Sequence, residues 1–130
     1  MARHSHRFVT QIGLVDDDAA VRVALGRLLK IAGYEVVSFA TGDELLAACE
    51  ERVPDCLLLD VHLPGLSGFE LLERVRANGS NPPTVFLTAS EDLSIADRVR
   101  DCGGVRLLRK PFSSDSLNDA IAAALATRGV

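Results

Sequence analysis

The sequence predicts a three-layer α/β sandwich built around a parallel five-stranded sheet in the order 2-1-3-4-5. Three observations carry that expectation. Short apolar runs alternate with amphipathic stretches five times along 130 residues, the pattern of consecutive βα units. Glycines and a capping sequence punctuate the stretches between runs. Four of the runs also end in residues suited to phosphoryl chemistry, and in an open parallel sheet the residues just past the strand ends gather in one crevice.

Taken in order, the first strand is Ile12 to Val15, leading into Asp16-Asp17-Asp18 and a helix over 19–32. On a helical wheel, Val21, Leu25, Leu28, Leu29 and Ala32 share one face and form the expected core stripe. Ala20, Ala24 and Ile31 widen the apolar arc along one flank. That flank is either plain helix-forming alanine or a small, greasy docking patch beside the acids. Gly33 closes the helix, and Glu35 to Phe39 forms the second strand. Thr41-Gly42-Asp43-Glu44 reads as a capping box opening a helix over 42–51. Cys56 to Leu59 is the third strand, followed by Asp60 and a helix over 68–78 that ends at Gly79. Thr84 to Leu87 precedes Thr88 and a helix over 92–101 closed by Gly103-Gly104; Val105 to Leu108 precedes Arg109-Lys110 and a last helix over 114–127. One domain over 10–127 results, with 1–9 as a frayed extension. There is no internal repeat or linker.

Composition narrows the function. With 48% apolar residues, the chain can bury a sizeable single core. Its 18 acids against 14 bases give a net charge of −4, which argues against nucleic acid as the ligand of this segment. No helix-turn-helix lies beyond the five βα units. No apolar stretch approaches the roughly 18 residues of a membrane span, and Met1 to Arg7 lack the apolar segment of a signal peptide, so the chain reads as cytoplasmic with no membrane contact. Cys49, Cys56 and Cys102 have no metal-ligand spacing and read as buried packing thiols of a reducing compartment. His4 and His6 receive no role.

The strand ends carry the chemistry. Asp16-Asp17-Asp18 can serve as an N-cap and acidic first turn. The three carboxylates also repel one another, and a hard cation such as Mg2+ relieves that repulsion. Asp17 is then the direct ligand, with Asp16 acting through water. Asp60 either caps the following loop or stands beside the acidic cluster, because strands one and three are neighbours at the switch point of the sheet. A carboxylate held next to a metal can act as a nucleophile toward phosphorus. Twelve of the 14 cationic residues are Arg, and Lys30 is the only Lys besides Lys110. A compact ammonium suits a point contact to a phosphoryl oxygen, and a cis bond to Pro111 would aim it into the crevice. Thr88, before small Ala89, offers a hydroxyl.

Together, Val15-Asp16-Asp17-Asp18, Asp60-Val61-His62-Leu63-Pro64-Gly65-Leu66-Ser67-Gly68, Thr88-Ala89 and Lys110-Pro111-Phe112 resemble the receiver domain of bacterial response regulators, the CheY-like phospho-acceptors of two-component signalling. The stretch from Asp55 to Gly68 is most similar to receivers of FixJ-type regulators. The resemblance implies a flavodoxin-like (βα)5 fold and phosphorylation of Asp60 by a sensor histidine kinase or histidine phosphotransfer protein. It implies Mg2+ held by Asp17, Asp60 and the backbone carbonyl of His62, with Lys110 and Thr88 on the phosphoryl oxygens. Such a domain catalyses only its own phosphorylation and dephosphorylation, and is no enzyme in the usual sense. His62 and Ser90 fall where receivers tune phosphoryl lifetime. The surface of the fourth helix, fifth strand and fifth helix would switch on phosphorylation and could carry a homodimer. Receivers commonly place an aromatic residue three positions before the Lys; here that residue is Leu107, preceded by Arg106. An Asp-nucleophile phosphatase would need a second Asp where His62 stands. Output is either as a stand-alone protein-binding receiver or as the amino-terminal part of a DNA-binding regulator.

Overall fold

The computed structural model describes residues 9–128. Five strands and five helices alternate: β1 (Gln11–Val15), α1 (Ala19–Ile31), β2 (Glu35–Phe39), α2 (Gly42–Cys49), β3 (Cys56–Asp60), α3 (Gly68–Ala77), β4 (Thr84–Thr88), α4 (Ser94–Asp101), β5 (Arg106–Arg109) and α5 (Ser114–Arg128). The strands are parallel in the order β2-β1-β3-β4-β5, as predicted. The frayed extension expected over residues 1–9 lies, apart from Val9, outside the described residues.

Two apolar clusters sandwich the sheet, because successive strand side chains point to opposite faces. Leu14, Leu58, Val85 and Leu108 meet Leu25 and Leu29 of α1 and Leu117 and Ile121 of α5 on one face. Val15, Leu57, Leu59 and Phe86 meet Leu45 of α2, Leu71, Leu72 and Val75 of α3, and Ile95 and Val99 of α4 on the other. β1, β3 and β4 are buried along their whole length. That is why they read as unbroken apolar runs.

Several boundaries differ from the sequence expectation for identifiable reasons. β3 and β4 each run one residue further, because Asp60 pairs with Leu87 and Thr88 with Arg109 in the ladder. β5 starts at Arg106 and keeps Arg109. α2 stops at Cys49, short of residue 51. α4 starts at Ser94, not 92, since Asp92 accepts the Ser94 amide (2.9 Å) and hydroxyl (2.8 Å) from outside the helix. The capping box at Thr41 is half formed: Thr41 accepts the Glu44 amide at 3.2 Å, but the Glu44 carboxylate accepts the Thr41 hydroxyl rather than its amide. A complete box opens α3, where Ser67 and Glu70 exchange amide bonds of 3.0 and 3.1 Å. Of the cysteines only Cys56 is buried, and burial pushes its thiol pKa up to about 12; Cys49 and Cys102, at helix ends, are half-buried. Gly33, Gly79 and Gly103 close their helices at positive φ, as expected.

Candidate functional site

β1 and β3 lie side by side and both end at the same rim, so Asp16 and Asp60 face each other across the point where strand order reverses. Ligand oxygens of Asp16, Asp17 and Asp60 all lie within 4.8 Å of one another. Lys110 follows β5, and its ammonium bridges the cluster, donating to Asp16 Oδ2 at 2.7 Å and Asp60 Oδ2 at 2.8 Å. The Lys110–Pro111 bond is cis. Thr88, fully buried at the end of β4, accepts the Ser90 amide on Oγ1 at 3.0 Å, and its carbonyl accepts the Lys110 amide at 2.7 Å.

Each carboxylate has a distinct environment. Asp16 is fully buried; Oδ1 accepts the Asp18 amide at 2.9 Å while Oδ2 is taken by Lys110. Asp60 accepts the His62 amide on Oδ1 at 2.8 Å. Asp17 is exposed and has no hydrogen-bond partner among the described residues, which leaves its oxygens available. Asp18 faces the helix instead, accepting the Ala20 and Val21 amides as the N-cap of α1. Asp18 is thus spent on the helix start, as the sequence suggested, while ligand oxygens of Asp16 and Asp17 stay close to Asp60.

Burial raises the Asp60 pKa above the ordinary carboxylate value. The Lys110 and His62 hydrogen bonds and the Lys110 charge offset this only in part, and the Asp16 charge adds to it. For Lys110, burial disfavours the ammonium, but the bonds and charges of Asp16 and Asp60 outweigh it and hold its pKa above the usual lysine value. Three carboxylates against one ammonium leave two excess negative charges, which suits a small dication with oxygen ligands.

Several neighbours of the site have contacts that the sequence did not assign. Gly68 sits so close beneath Asp60 that a Cβ there would collide with the Asp60 carbonyl. Its amide donates to the Val61 carbonyl at 2.9 Å. Arg22, off the core stripe of α1, donates from Nη1 to the Asp16 carbonyl at 2.7 Å. Arg109 donates from Nη1 to the Ser90 carbonyl at 2.8 Å. His62 is exposed beside the rim, and Leu107 is half-buried against the cluster that contains Phe86.

Beside the acids lies an apolar groove of about 410 Å³ between α1 and the segment after β5, lined by Val21, Ala24, Leu25, Leu28, Lys110, Pro111 and Phe112. Ala24 belongs to it, whereas Ile31, 83% exposed, does not. Of the core stripe expected on α1, Leu25 and Leu29 are buried, Val21 and Leu28 are half-buried at the groove, and Ala32 is exposed beyond the helix end. No described helix is long and apolar enough to cross a membrane.

The family model of the response regulator receiver domain matches residues 12–122. The chain belongs to the response regulator receiver family. Nodulation protein W of Bradyrhizobium diazoefficiens is 37% identical over 85% of this chain and 49% of its own length. Transcriptional regulatory protein FixJ of the same organism is 38% identical over 88% of this chain and 56% of its own length. This receiver therefore spans about half the length of those two relatives. Sporulation initiation phosphotransferase F of Bacillus subtilis is 30% identical over 85% of this chain and 90% of its own length. Among solved structures, a response regulator receiver domain protein from Clostridium thermocellum superposes with a TM-score of 0.85 at 27% identity, over 93% of this chain and 98% of that one. Both the two-component assignment and the likeness to FixJ drawn from the sequence agree with these findings.

Proposed function

We propose that this receiver accepts a phosphoryl group on Asp60 from a phosphohistidine donor. The observation that carries the reading is the Lys110 ammonium bridging Asp16 and Asp60 at 2.7 and 2.8 Å at the rim of the sheet, beside a third carboxylate. An Asp60 oxygen attacks phosphorus, the phosphorus–nitrogen bond of the donor breaks, and the imidazole leaves with the bonding pair to give an aspartyl phosphate. Lys110 and the Thr88 hydroxyl bind phosphoryl oxygens, and the His62 amide keeps Asp60 oriented. Asp17, Asp60 and the His62 carbonyl are the residues to hold Mg2+, with Asp16 acting through water. Bound there, the ion supplies positive charge against the incoming oxygens.

The donor is a sensor histidine kinase or a histidine phosphotransfer protein. The apolar groove along α1 and Pro111-Phe112 supports docking there, because Lys110 forms one wall of it and also touches Asp60, so a helix seated in the groove brings its imidazole to the carboxylate. Recruitment of Thr88 shifts the α4–β5–α5 surface toward the form that binds the output partner, a second copy of the receiver among them. The domain acts as a signalling module in the cytoplasm, without contact to nucleic acid of its own.

Incubation with acetyl phosphate and Mg2+ followed by intact mass tests the assignment. Wild type gains about 80 Da and Asp60→Asn gains nothing. Equal labelling of both proteins overturns Asp60 as the acceptor.

A further inference from the structure

The segment between β4 and α4 is a chain of local turns. Thr88 Oγ1 accepts the Ser90 amide at 3.0 Å, Ser90 Oγ accepts the Asp92 amide at 3.1 Å, and Asp92 Oδ1 accepts the Ser94 amide at 2.9 Å. Each link spans two residues, the turn that Ser, Thr and Asp side chains make with nearby backbone. The ladder therefore runs without a gap from the buried Thr88 hydroxyl to the first residue of α4. Its outer links are solvent-exposed, so alone they would exchange with water. Besides the Thr88 link itself, one side-chain bond among the described residues fastens the ladder to the sheet. Arg109, the last residue of β5, donates from Nη1 to the Ser90 carbonyl at 2.8 Å. Its neighbour Lys110 binds the Thr88 carbonyl through its amide and the acids through its ammonium. The end of β5 thus grips the acid cluster and the β4–α4 turn from adjacent residues.

We propose that Arg109 is a positioning residue that clamps the β4–α4 turn through the Ser90 carbonyl, so that movement of the Thr88 hydroxyl toward a phosphoryl group is converted into movement of α4 only against this clamp. The inference rests on the phospho-acceptor reading of Asp60. When Thr88 turns to a phosphoryl oxygen, Oγ1 leaves the Ser90 amide, and the first rung of the ladder breaks. The Arg109 bond is then the remaining tie between Ser90 and the sheet, and its strength sets how the turn is divided between held and released forms. A phosphoryl group favours the released form and the guanidinium the held one, so each opposes the other through one equilibrium. Asp92 fits this arrangement. Its hydrogen bonds from Ser94 hold its carboxyl below the usual range, and the nearby charges of Arg109 and Arg98 add to the effect.

Amide spectra of wild type, Arg109→Met and Arg109→Lys, each titrated with beryllofluoride in the presence of Mg2+, test the clamp. Met keeps the stem and removes the donor, while Lys keeps a charged donor. In Arg109→Met without metal or fluoride, the amides of Ser90 to Ser94 move part-way along the path that beryllofluoride drives in wild type. Its half-saturating beryllofluoride concentration falls about fivefold, the worth of one charge-assisted bond at a partly exposed site. Arg109→Lys stays within about twofold of wild type. Arg109→Met amides that coincide with wild type before titration overturn the proposal, as does a shift of equal size in both variants. Arg109→Gln replaces Arg109→Met if the latter does not fold. Absence of any wild-type response at Thr88, together with no mass gain from acetyl phosphate, counts instead against Asp60 phosphorylation. The metal-free comparison still judges the clamp on its own.

Discussion

Replacing Lys110 with Met removes the ammonium between Asp16 and Asp60 but keeps an apolar stem against Pro111 and Phe112. Asp16 is 0% and Asp60 6% exposed, so both carboxylates lose their counter-charge where water reaches them poorly. Breaking one partner out of a buried pair costs about 3–5 kcal/mol. The Lys110 side chain is 21% exposed, which places the loss at the lower end, about 3 kcal/mol. With an unfolding entropy of about 0.25 kcal/mol/K for a domain of this size, Tm falls by about 12 °C in metal-free buffer near neutral pH. The pH dependence has a definite sign. Because the folded pKa of Asp60 lies above its unfolded value, its ionised form weakens the folded state, and that penalty fades as pH falls through the raised pKa toward about 4. Without the ammonium the penalty is larger, so the gap between Lys110→Met and wild type narrows as pH falls from neutral toward the ordinary carboxylate range. In wild type, the raised Lys110 pKa means its contribution is complete below the ordinary lysine value and is lost as pH rises through the higher folded one. Scanning calorimetry reads all of this. A neutral-pH Tm within about 2 °C of wild type, or a gap that widens on acidification, refutes the reasoning.

Mg2+ affinity, read by isothermal titration, falls about tenfold or more in Asp17→Asn and less than about threefold in Asp18→Asn, since Asn also caps a helix well; equal losses contradict the division of the triplet. Gly68→Ala drives a Cβ into the Asp60 carbonyl and lowers Tm by about 8 °C or more, with weakened Mg2+ binding in the folded fraction. A Tm near wild type in that variant shows that α3 yields without cost. Ala24→Glu places a charge in the apolar groove and slows transfer from a phosphorylated histidine phosphotransfer protein about tenfold, while labelling by acetyl phosphate is unchanged. Unchanged protein-to-protein transfer moves the docking surface elsewhere.

Asp60 was visible in the sequence because four apolar residues of a strand buried on both faces precede it, and few structural reasons put an acid there. Asp16, Asp17 and Lys110 were visible for a related reason, as charges placed where strand ends meet. The strand limits were missed by one residue because Asp60, Thr88 and Arg109 look like the start of loops by polarity while their backbones remain in the ladder. Contacts made by side chains to distant main-chain groups left no trace in the pattern. Arg22 to the Asp16 carbonyl and Arg109 to the Ser90 carbonyl depend on three-dimensional proximity, and nothing in the spacing of arginines separates them from solvated ones. Gly68 stood in the motif, but the reason for its missing side chain shows only once α3 is laid against β3. The Ser67–Glu70 box, by contrast, was legible and overlooked. Its spacing is the same as that of Thr41 and Glu44.

Arg128, in the last turn of α5, is paired with Asp55 at 2.9 Å, and the same carboxylate accepts the amide of Gln11, the first residue of β1. Both ends of the folded unit are thereby gathered at the rim of the sheet away from Asp60, on either side of one surface acid. For a protein engineer this makes the domain a plug with its wiring at the back. An affinity tag, a fluorescent protein or a DNA-binding module joined directly before Gln11 or after Arg128 starts from the rim opposite the acid crevice. Joining the two ends to each other with a short linker would in turn allow new termini to be opened elsewhere, for instance at the exposed Asn81 on the same rim.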